Sequence, residues 1–425
     1  MENILNKEFF SANRKRLFSL IKPNSVIVLF SADVFPRNGD QLSKFRQNSD
    51  TFYFSGLKQE HSIILLHCDE NKTCKEIAFI TEPDEKTLIW IGRKYSKSEA
   101  SEISGIENIE FIKSFDSISA EFLKLAPTVY YSFASNNRTG YSENSDQIKW
   151  KAKLEKEFPQ LLIENLDPIS QSLRLIKSPE EIATIQKAID ITGKAFSNVL
   201  KNIKPNIHEY EVEAEITKSF LCAGAHDHAY LPIVATGKNA CVLHYNTNRN
   251  ICAQGDLLLL DFGAELDCYA ADITRTIPVS GKFNARQKDV YNSVLKVFKQ
   301  MKQKMIVGTT IRELNTECER LIEKELLKLG LLTNDDIAQQ NPEHPALKKY
   351  FMHGLSHFIG LDVHDVGSRD TKLLPGMILS CEPGIYISEE NIGIRLENDI
   401  LIGENPIDLC ENIPMEIDEI EKAMS

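Results

Sequence analysis

The stretch Leu257–Val279, LLLLDFGAELDCYAADITRTIPV, decides how this chain folds. Leu257 to Leu260 form an apolar run that ends in a carboxylate, Asp261. A turn-rich segment follows, and then Asp272, Thr274 and Thr276 alternate with Ile273, Arg275 and Ile277. Alternation of period two places one set on each face of a strand. Paired as a hairpin, the two strands bring both aspartates to one spot. Two carboxylates beside a tetra-leucine strand are costly to bury unless a cation lies between them. A metal site is the first expectation.

The chain has 425 residues, enough for two or three domains and a large core. Its 42% apolar and 26% charged residues are ordinary for a globular protein. A net charge of −12 argues against nucleic acid or an anionic membrane surface as the main partner. Small-molecule, peptide and protein partners all stay open. No apolar run approaches the roughly 20 residues of a membrane span. The opening residues MENILNKEFFSANRKRL read as a polar helix rather than a signal peptide. Nine cysteines with no C-x-x-C pair or regular spacing fit a reduced, cytoplasmic setting, with Cys222 and Cys318 as small apolar fillers.

The first part mixes short β-rich runs, Ser25–Ala32, His61–Cys68 and Glu76–Thr81, with amphipathic stretches that end at Ser145–Phe158. This reads as an α/β domain. The segment NLDPIS, residues 165–170, breaks the pattern and marks a boundary. Beyond it Ser178, Pro179, Glu180 and Glu181 form a helix start. Ile182, Ile185, Ala188 and Ile189 make its apolar face. Further helices are expected over Glu209–Gly224, Asp289–Met305 and Ile311–Gly330, with strands around Ile233, Leu257, Asp272, Met377 and Ile394.

The C-terminal third supplies further ligands. FMHGLSHFIGLDVHD contains His353, His357 and His364; PGMILSCEPGIYI sets Glu382 at the end of an apolar run; in NIGIRLENDILI, Arg395 and Glu397 share a face. Taken singly these are ordinary features: turn carboxylates, an exposed helix face, a surface ion pair. Taken together, Asp261, Asp272, His357, Glu382 and Glu397 form a coherent set, each at or near the end of a β-like run.

At this point the chain resembles the aminopeptidase P family of the pita-bread metallopeptidases. The pattern runs through DFGAELDCYAADITRTIPVSGKF, HGLSHFIGLDVHDVG, LSCEPGIYI and GIRLENDILI in order, and extends to RNGDQLSKFRQNSDTFYFSGL at Arg37–Leu57 and SLRLIKSPEEI at Ser172–Ile182. The resemblance implies an α/β (α+β) chain, with an N-terminal α/β creatinase-like domain over residues 1–165. A C-terminal pita-bread catalytic domain would follow over residues 170–425. It implies two divalent metal ions, manganese by family expectation, with zinc, cobalt or iron also suited to the donors. Asp261 would chelate one ion, Asp272 and Glu397 would bridge both, and His357 and Glu382 would complete the other shell.

The activity implied is hydrolysis of the bond between an N-terminal residue and a following proline, in peptides with proline second. Glu382 would shuttle the proton, and His244 and His364 would lie near the tetrahedral intermediate. His353 would contact substrate beyond the scissile bond. Arg395 would orient a ligating carboxylate, with Tyr230 a weaker candidate for that role and for substrate contact. Arg174 reads either as an interdomain ion pair or as a residue at the active-site mouth. Asp40 and Trp90 match positions that can serve a neighbouring subunit, implying a homodimer or homotetramer; by composition alone Trp90 reads as a core tryptophan. The segment between Tyr386 and Gly393 is short for the family, and Asn398 replaces a commonly acidic residue. Two alternatives stand beside this reading: a prolidase restricted to Xaa-Pro dipeptides, and an inactive pita-bread module used for protein binding.

Overall fold

The β-rich runs of the N-terminal part form one six-stranded sheet. In spatial order its strands are Asn108–Phe111, Cys74–Ile80, Ile63–Cys68, Ser25–Phe30, Thr128–Tyr131 and Leu162–Asn165. Ile63–Cys68 runs antiparallel to both neighbours, and the other three pairings are parallel. Val26, Val28 and Phe30 enter a core with Leu65, Phe79, Phe115 and Trp150. The alternate residues Ile27 and Leu29 are equally buried. A strand apolar on both sides needs cover on both faces. Helices Lys7–Leu20 and Ser49–Ser55 pack on each other edge to face, Phe10 on Phe52 and Phe9 on Tyr53.

The computed structural model describes residues 4–71, 73–132 and 145–425. The chain divides into one unit that reaches Arg174 and a second from Leu175 to Ser425. Helix Asp167–Leu175 places Arg174 in the first unit, where its buried guanidinium donates to Asp50 at 2.8 Å. This pair is internal to that unit, not interdomain. Two further expectations are corrected here. Trp150 is the core tryptophan, while Trp90 is 78% exposed on the seven-residue helix Glu85–Ile91, with Leu88, Ile89 and Ile91 exposed beside it. Cys68 stands opposite Cys74 in its hairpin, and the two are joined as a disulfide. Hairpin register, not linear spacing, decides which cysteines meet.

The second unit opens on the 24-residue helix Pro179–Asn202. Ser178 caps it, Pro179 fills the first turn, and Glu181 reaches back to the Ser178 amide at 2.8 Å. The helix Ala285–Lys302 begins four residues before the expected Asp289, because Asn284 and Gln287 close a capping box there. Strand Leu257–Phe262 lies between Ile233–Thr236 and Ile273–Pro278, antiparallel to both. Between the two later strands the chain makes an excursion, Ala264–Leu266 pairing with Tyr269–Ala270. A Cβ on Gly263 would lie 1.7 Å from the Ala271 carbonyl oxygen, so only glycine fits where that excursion closes. Two more antiparallel pairs follow, the hairpin Gly384–Ile387 with Ile392–Arg395 and, flanking it in the chain, Ile378–Cys381 with Asn398–Leu401. A bridge between Thr274 and Glu397 joins them to the first set.

The helix Ile417–Ala423 is clamped by Glu421, whose carboxylate accepts from Lys282, Lys288 and the Phe283 amide. Burial alone would raise its pKa; the lysines and the amide outweigh it and hold it at about 2. A depressed carboxylate stabilises the fold above its unfolded value near 4.5, and that stability fades as pH falls toward 2. Glu421→Gln is expected to destabilise the protein by about 2 kcal/mol at pH 7. In thermal or urea unfolding, the gap from the parent should shrink as pH falls below about 4.5.

Candidate metal centre

Each candidate ligand sits where an apolar strand ends or begins. Asp261 is paired in register with Thr274 and, on its other side, with Ile233. Asp272 immediately precedes the strand Ile273–Pro278, Glu382 follows Ile378–Cys381, and Glu397 precedes Asn398–Leu401. His357 precedes Phe358, which bridges to Leu379. Burial of these strands carries the polar ends inward.

There the side chains converge. Asp272, His357 and Glu397 each bring one ligand atom within 4.8 Å of the others. His357 Nε2 lies 3.3 Å from Asp272 Oδ2 and 3.6 Å from Glu382 Oε1. The Tyr230 hydroxyl contacts Asp261 Oδ1 at 2.6 Å and also Asp272 Oδ1, so its one proton ties the two aspartates. Arg395 donates to Asp261 Oδ2 through Nη2 and to Thr274 Oγ1 through Nε at 3.1 Å. The Thr274 hydroxyl in turn donates to Glu397 Oε2 at 2.6 Å. The Arg395–Glu397 pair, ordinary as a surface feature, is buried on both sides.

Burial pushes the carboxyls up. The Glu382 pKa rises to about 7, against the pull of His357 and Arg395 and with the push of Asp272 and Asp261. Glu397 is driven well above the carboxylate range by burial and by Asp272. Burial also raises Asp261, although Arg395 opposes it. His357 goes the other way: its burial is outweighed by Asp272 and Glu382, which lift it to about 9. His357 Nδ1 faces the Phe358 carbonyl at 3.2 Å, which directs Nε2 toward the carboxylates. Three buried carboxylates and a half-buried fourth, set against Arg395 and His357, are a poor arrangement for protein alone. Their oxygen and nitrogen donors fit divalent cations such as manganese, zinc, cobalt or iron.

The surrounding residues divide clearly. Both nitrogens of His353 are engaged: Nδ1 with the Gly354 carbonyl and Nε2 with the Tyr386 hydroxyl, each at 2.7 Å. Arg395 Nη1 donates to that same hydroxyl at 2.9 Å, which leaves the tyrosine proton for His353. Burial and Arg395 lower the His353 pKa to about 3. His364 is exposed and stands edge to face with His357, ring centroids 4.3 Å apart. His244 is exposed and close enough to act electrostatically on His353. Arg174, Asp40 and Trp90 belong to the first unit, Arg174 buried and the other two exposed.

Sequence reasoning missed Tyr386, Thr274 as a ligand partner, and Asp399. Asp399 is fully buried and accepts from the Asp272 amide at 3.1 Å. Period two would have found Tyr386, since Glu382, Gly384 and Tyr386 share a face. Asn398 turns away and donates to both carboxylate oxygens of Asp408. Arg275, on the strand face opposite Thr274, is fully buried and donates to four carbonyls: Thr274, Glu397, Ile413 and Pro414.

Comparison with known proteins places this geometry. Residues 183–404 match metallopeptidase family M24, and residues 10–130 match the aminopeptidase P N-terminal domain. The chain is 33% identical to the Xaa-Pro aminopeptidase of Escherichia coli (strain K12), covering 99% of this chain and 98% of that protein. It is 36% identical to the Xaa-Pro aminopeptidase of Haemophilus influenzae over the same shares. The solved structure of Escherichia coli aminopeptidase P with the inhibitor Pro-Leu superposes with a TM-score of 0.89 at 33% identity, covering 98% of each chain.

The raised carboxyls have a consequence for protein stripped of metal by a chelator. A carboxyl whose pKa rises on folding stabilises below its unfolded value, and that contribution is lost as pH rises through the folded value. Metal-stripped protein should lose stability from about pH 4.5 through 7, where Glu382 gives up its proton. Added manganese should raise the melting temperature more at pH 8 than at pH 5.5 in differential scanning fluorimetry.

Proposed function

Because the chain belongs to metallopeptidase family M24 and carries the aminopeptidase P N-terminal domain, we propose the following reading of its centre. The chain is a Xaa-Pro aminopeptidase, a hydrolase that cuts between an N-terminal residue and a following proline. The observation that carries this is the convergence of Asp272, His357 and Glu397 in a chain matched end to end by Xaa-Pro aminopeptidases. Asp261, Asp272, His357, Glu382 and Glu397 would hold two divalent cations, Asp261 serving one, His357 and Glu382 the other, and Asp272 and Glu397 both. Bound there, the cations supply Lewis acidity toward the scissile carbonyl and lower the pKa of an attacking water.

The residues do the rest. Glu382 takes the proton of the attacking water. As the carbon–nitrogen bond breaks, Glu382 passes that proton to the proline nitrogen, a tertiary amide nitrogen that leaves poorly unless protonated. The free N-terminal residue and a peptide beginning with proline are released. His244 and His364 offer hydrogen-bond donors to the charge that develops on the carbonyl oxygen. Arg395 and Tyr230 hold Asp261 in place through its two oxygens. The Arg395–Tyr386–His353 chain keeps the far wall fixed.

The finer points are ours as well. Manganese is the resident metal, and the compartment is the cytoplasm, supported by seven free cysteines beside the one Cys68–Cys74 disulfide. Among the described residues no helix is long and apolar enough to cross a membrane. The protein works as a homodimer or homotetramer, supported by the apolar residues Leu88, Ile89, Trp90 and Ile91 left exposed on one short helix. Asp40 and Trp90, both exposed, serve the substrate of a neighbouring subunit.

A peptidase assay on an Xaa-Pro-Xaa peptide, with chelator and with added manganese, should show activity lost and then restored. Asp272→Asn should lower kcat by about 100-fold, about 2.7 kcal/mol in the barrier, and reduce bound metal. Activity confined to Xaa-Pro dipeptides would instead indicate a prolidase. Trp90→Glu should lower the solution mass measured by light scattering; a parent protein that is monomeric and fully active would remove the assembly reading.

A further inference from the structure

His244 stands on the segment Thr236–Asn250, whose ends are tied by Asn248 Nδ2 to Glu213 at 3.0 Å and by the Thr236 hydroxyl to Asp256 at 3.3 Å, and which is held along its length by a third carboxylate, Glu209. Glu209 is the first residue of helix Glu209–Cys222 and is fully buried. Its Oε1 accepts from the Thr236 amide at 2.8 Å and from Asn239 Nδ2 at 3.2 Å. Its Oε2 accepts from the Tyr245 hydroxyl at 2.7 Å and from the Asn250 amide at 2.8 Å. The Glu209 amide donates back to the Asn250 carbonyl. All four donors to one carboxylate come from the segment that carries His244, and among the described residues no cation pairs with Glu209.

The sides of the segment are fixed too. Cys241, Leu243 and Tyr245 pack against Ile233, Ala235, Leu259 and Tyr386. A Cβ on Gly393 would come within 2.4 Å of the Ala240 carbonyl oxygen, so the segment lies directly on that glycine. With Leu243 and Tyr245 turned inward, His244 between them is turned outward. A backbone shift that carried His244 away would also draw Tyr245 off Glu209. The carboxylate touches none of the ligand residues, and what it sets is the placement of one histidine.

We propose that Glu209 is a positioning residue for the reaction, fixing residues 236–250 so that His244 is presented to the substrate carbonyl. This rests on the role given to His244 above. The test is a double-mutant cycle on the full-length, manganese-loaded enzyme. Glu209→Gln replaces one oxygen by an NH2 group, which faces two donors that it cannot accept from. In the parent background it is expected to lower kcat by about 10-fold or more, with KM within about twofold and metal content unchanged. In a His244→Ala background the same change should lower kcat by less than about twofold. Tyr245→Phe, which removes one donor and keeps the ring, should give a smaller loss that also vanishes with His244→Ala.

Equal losses in both backgrounds, for either variant, would overturn the proposal and leave Glu209 a general structural acid. A His244→Ala enzyme with unchanged kcat would overturn it by a different route, by removing the role of His244 itself. If Glu209→Gln fails to fold, the Tyr245→Phe cycle decides.

Discussion

Negative charge kept out of water is the constraint on which the second unit is built. Asp261, Asp272 and Glu397 are buried together, and the cationic groups set among them are Arg395 and His357. An isolated carboxylate in so dry a place would take up a proton. The rise in the pKa values of Glu382 and Glu397 is that tendency made visible. Metal ions answer the same need without neutralising the ligands. Stability and chemistry therefore draw on one source of energy.

The second theme is direction. Arginine can only donate, a backbone carbonyl can only accept, and a tyrosine hydroxyl has one proton to give. Arg395, Tyr386, His353 and the Gly354 carbonyl thus form a chain with one sense, in which each proton has one place to be. Thr274 works in the same way between Arg395 and Glu397. These contacts leave the oxygens around the centre oriented before any ligand arrives, which is the condition for strong electrostatic effects in a site.

Much of this was legible in the sequence, for a physical reason. Carboxylates at either end of apolar strands are carried inward by the strands, so Asp261, Asp272, Glu382 and Glu397 declare themselves by position. Capping residues announce the start at Ser178 because that interaction is local. What stayed hidden is long-range. Thr274 meets Glu397 across 123 residues, and Arg174 meets Asp50 across 124. Nothing local says that Glu209 serves a loop up to 41 residues ahead. Trp90 misled because apolar character predicts burial only on average. Cys68 and Cys74 misled because opposition across a hairpin depends on register.

Arg275 gives the metal centre an unexpected relation to time. Its guanidinium joins the backbone beside Asp272 to the carbonyl of Glu397 and to those of Ile413 and Pro414. During synthesis the two aspartates emerge more than a hundred residues before Glu397 and the segment at 413–414. Until those last pieces arrive, the arginine lacks three of its four carbonyls and the glutamate has no fixed place. A nascent chain therefore carries half a cage while the 125 residues from Asp272 to Glu397 are made, and ion capture by the full ligand set waits until the unit is nearly whole.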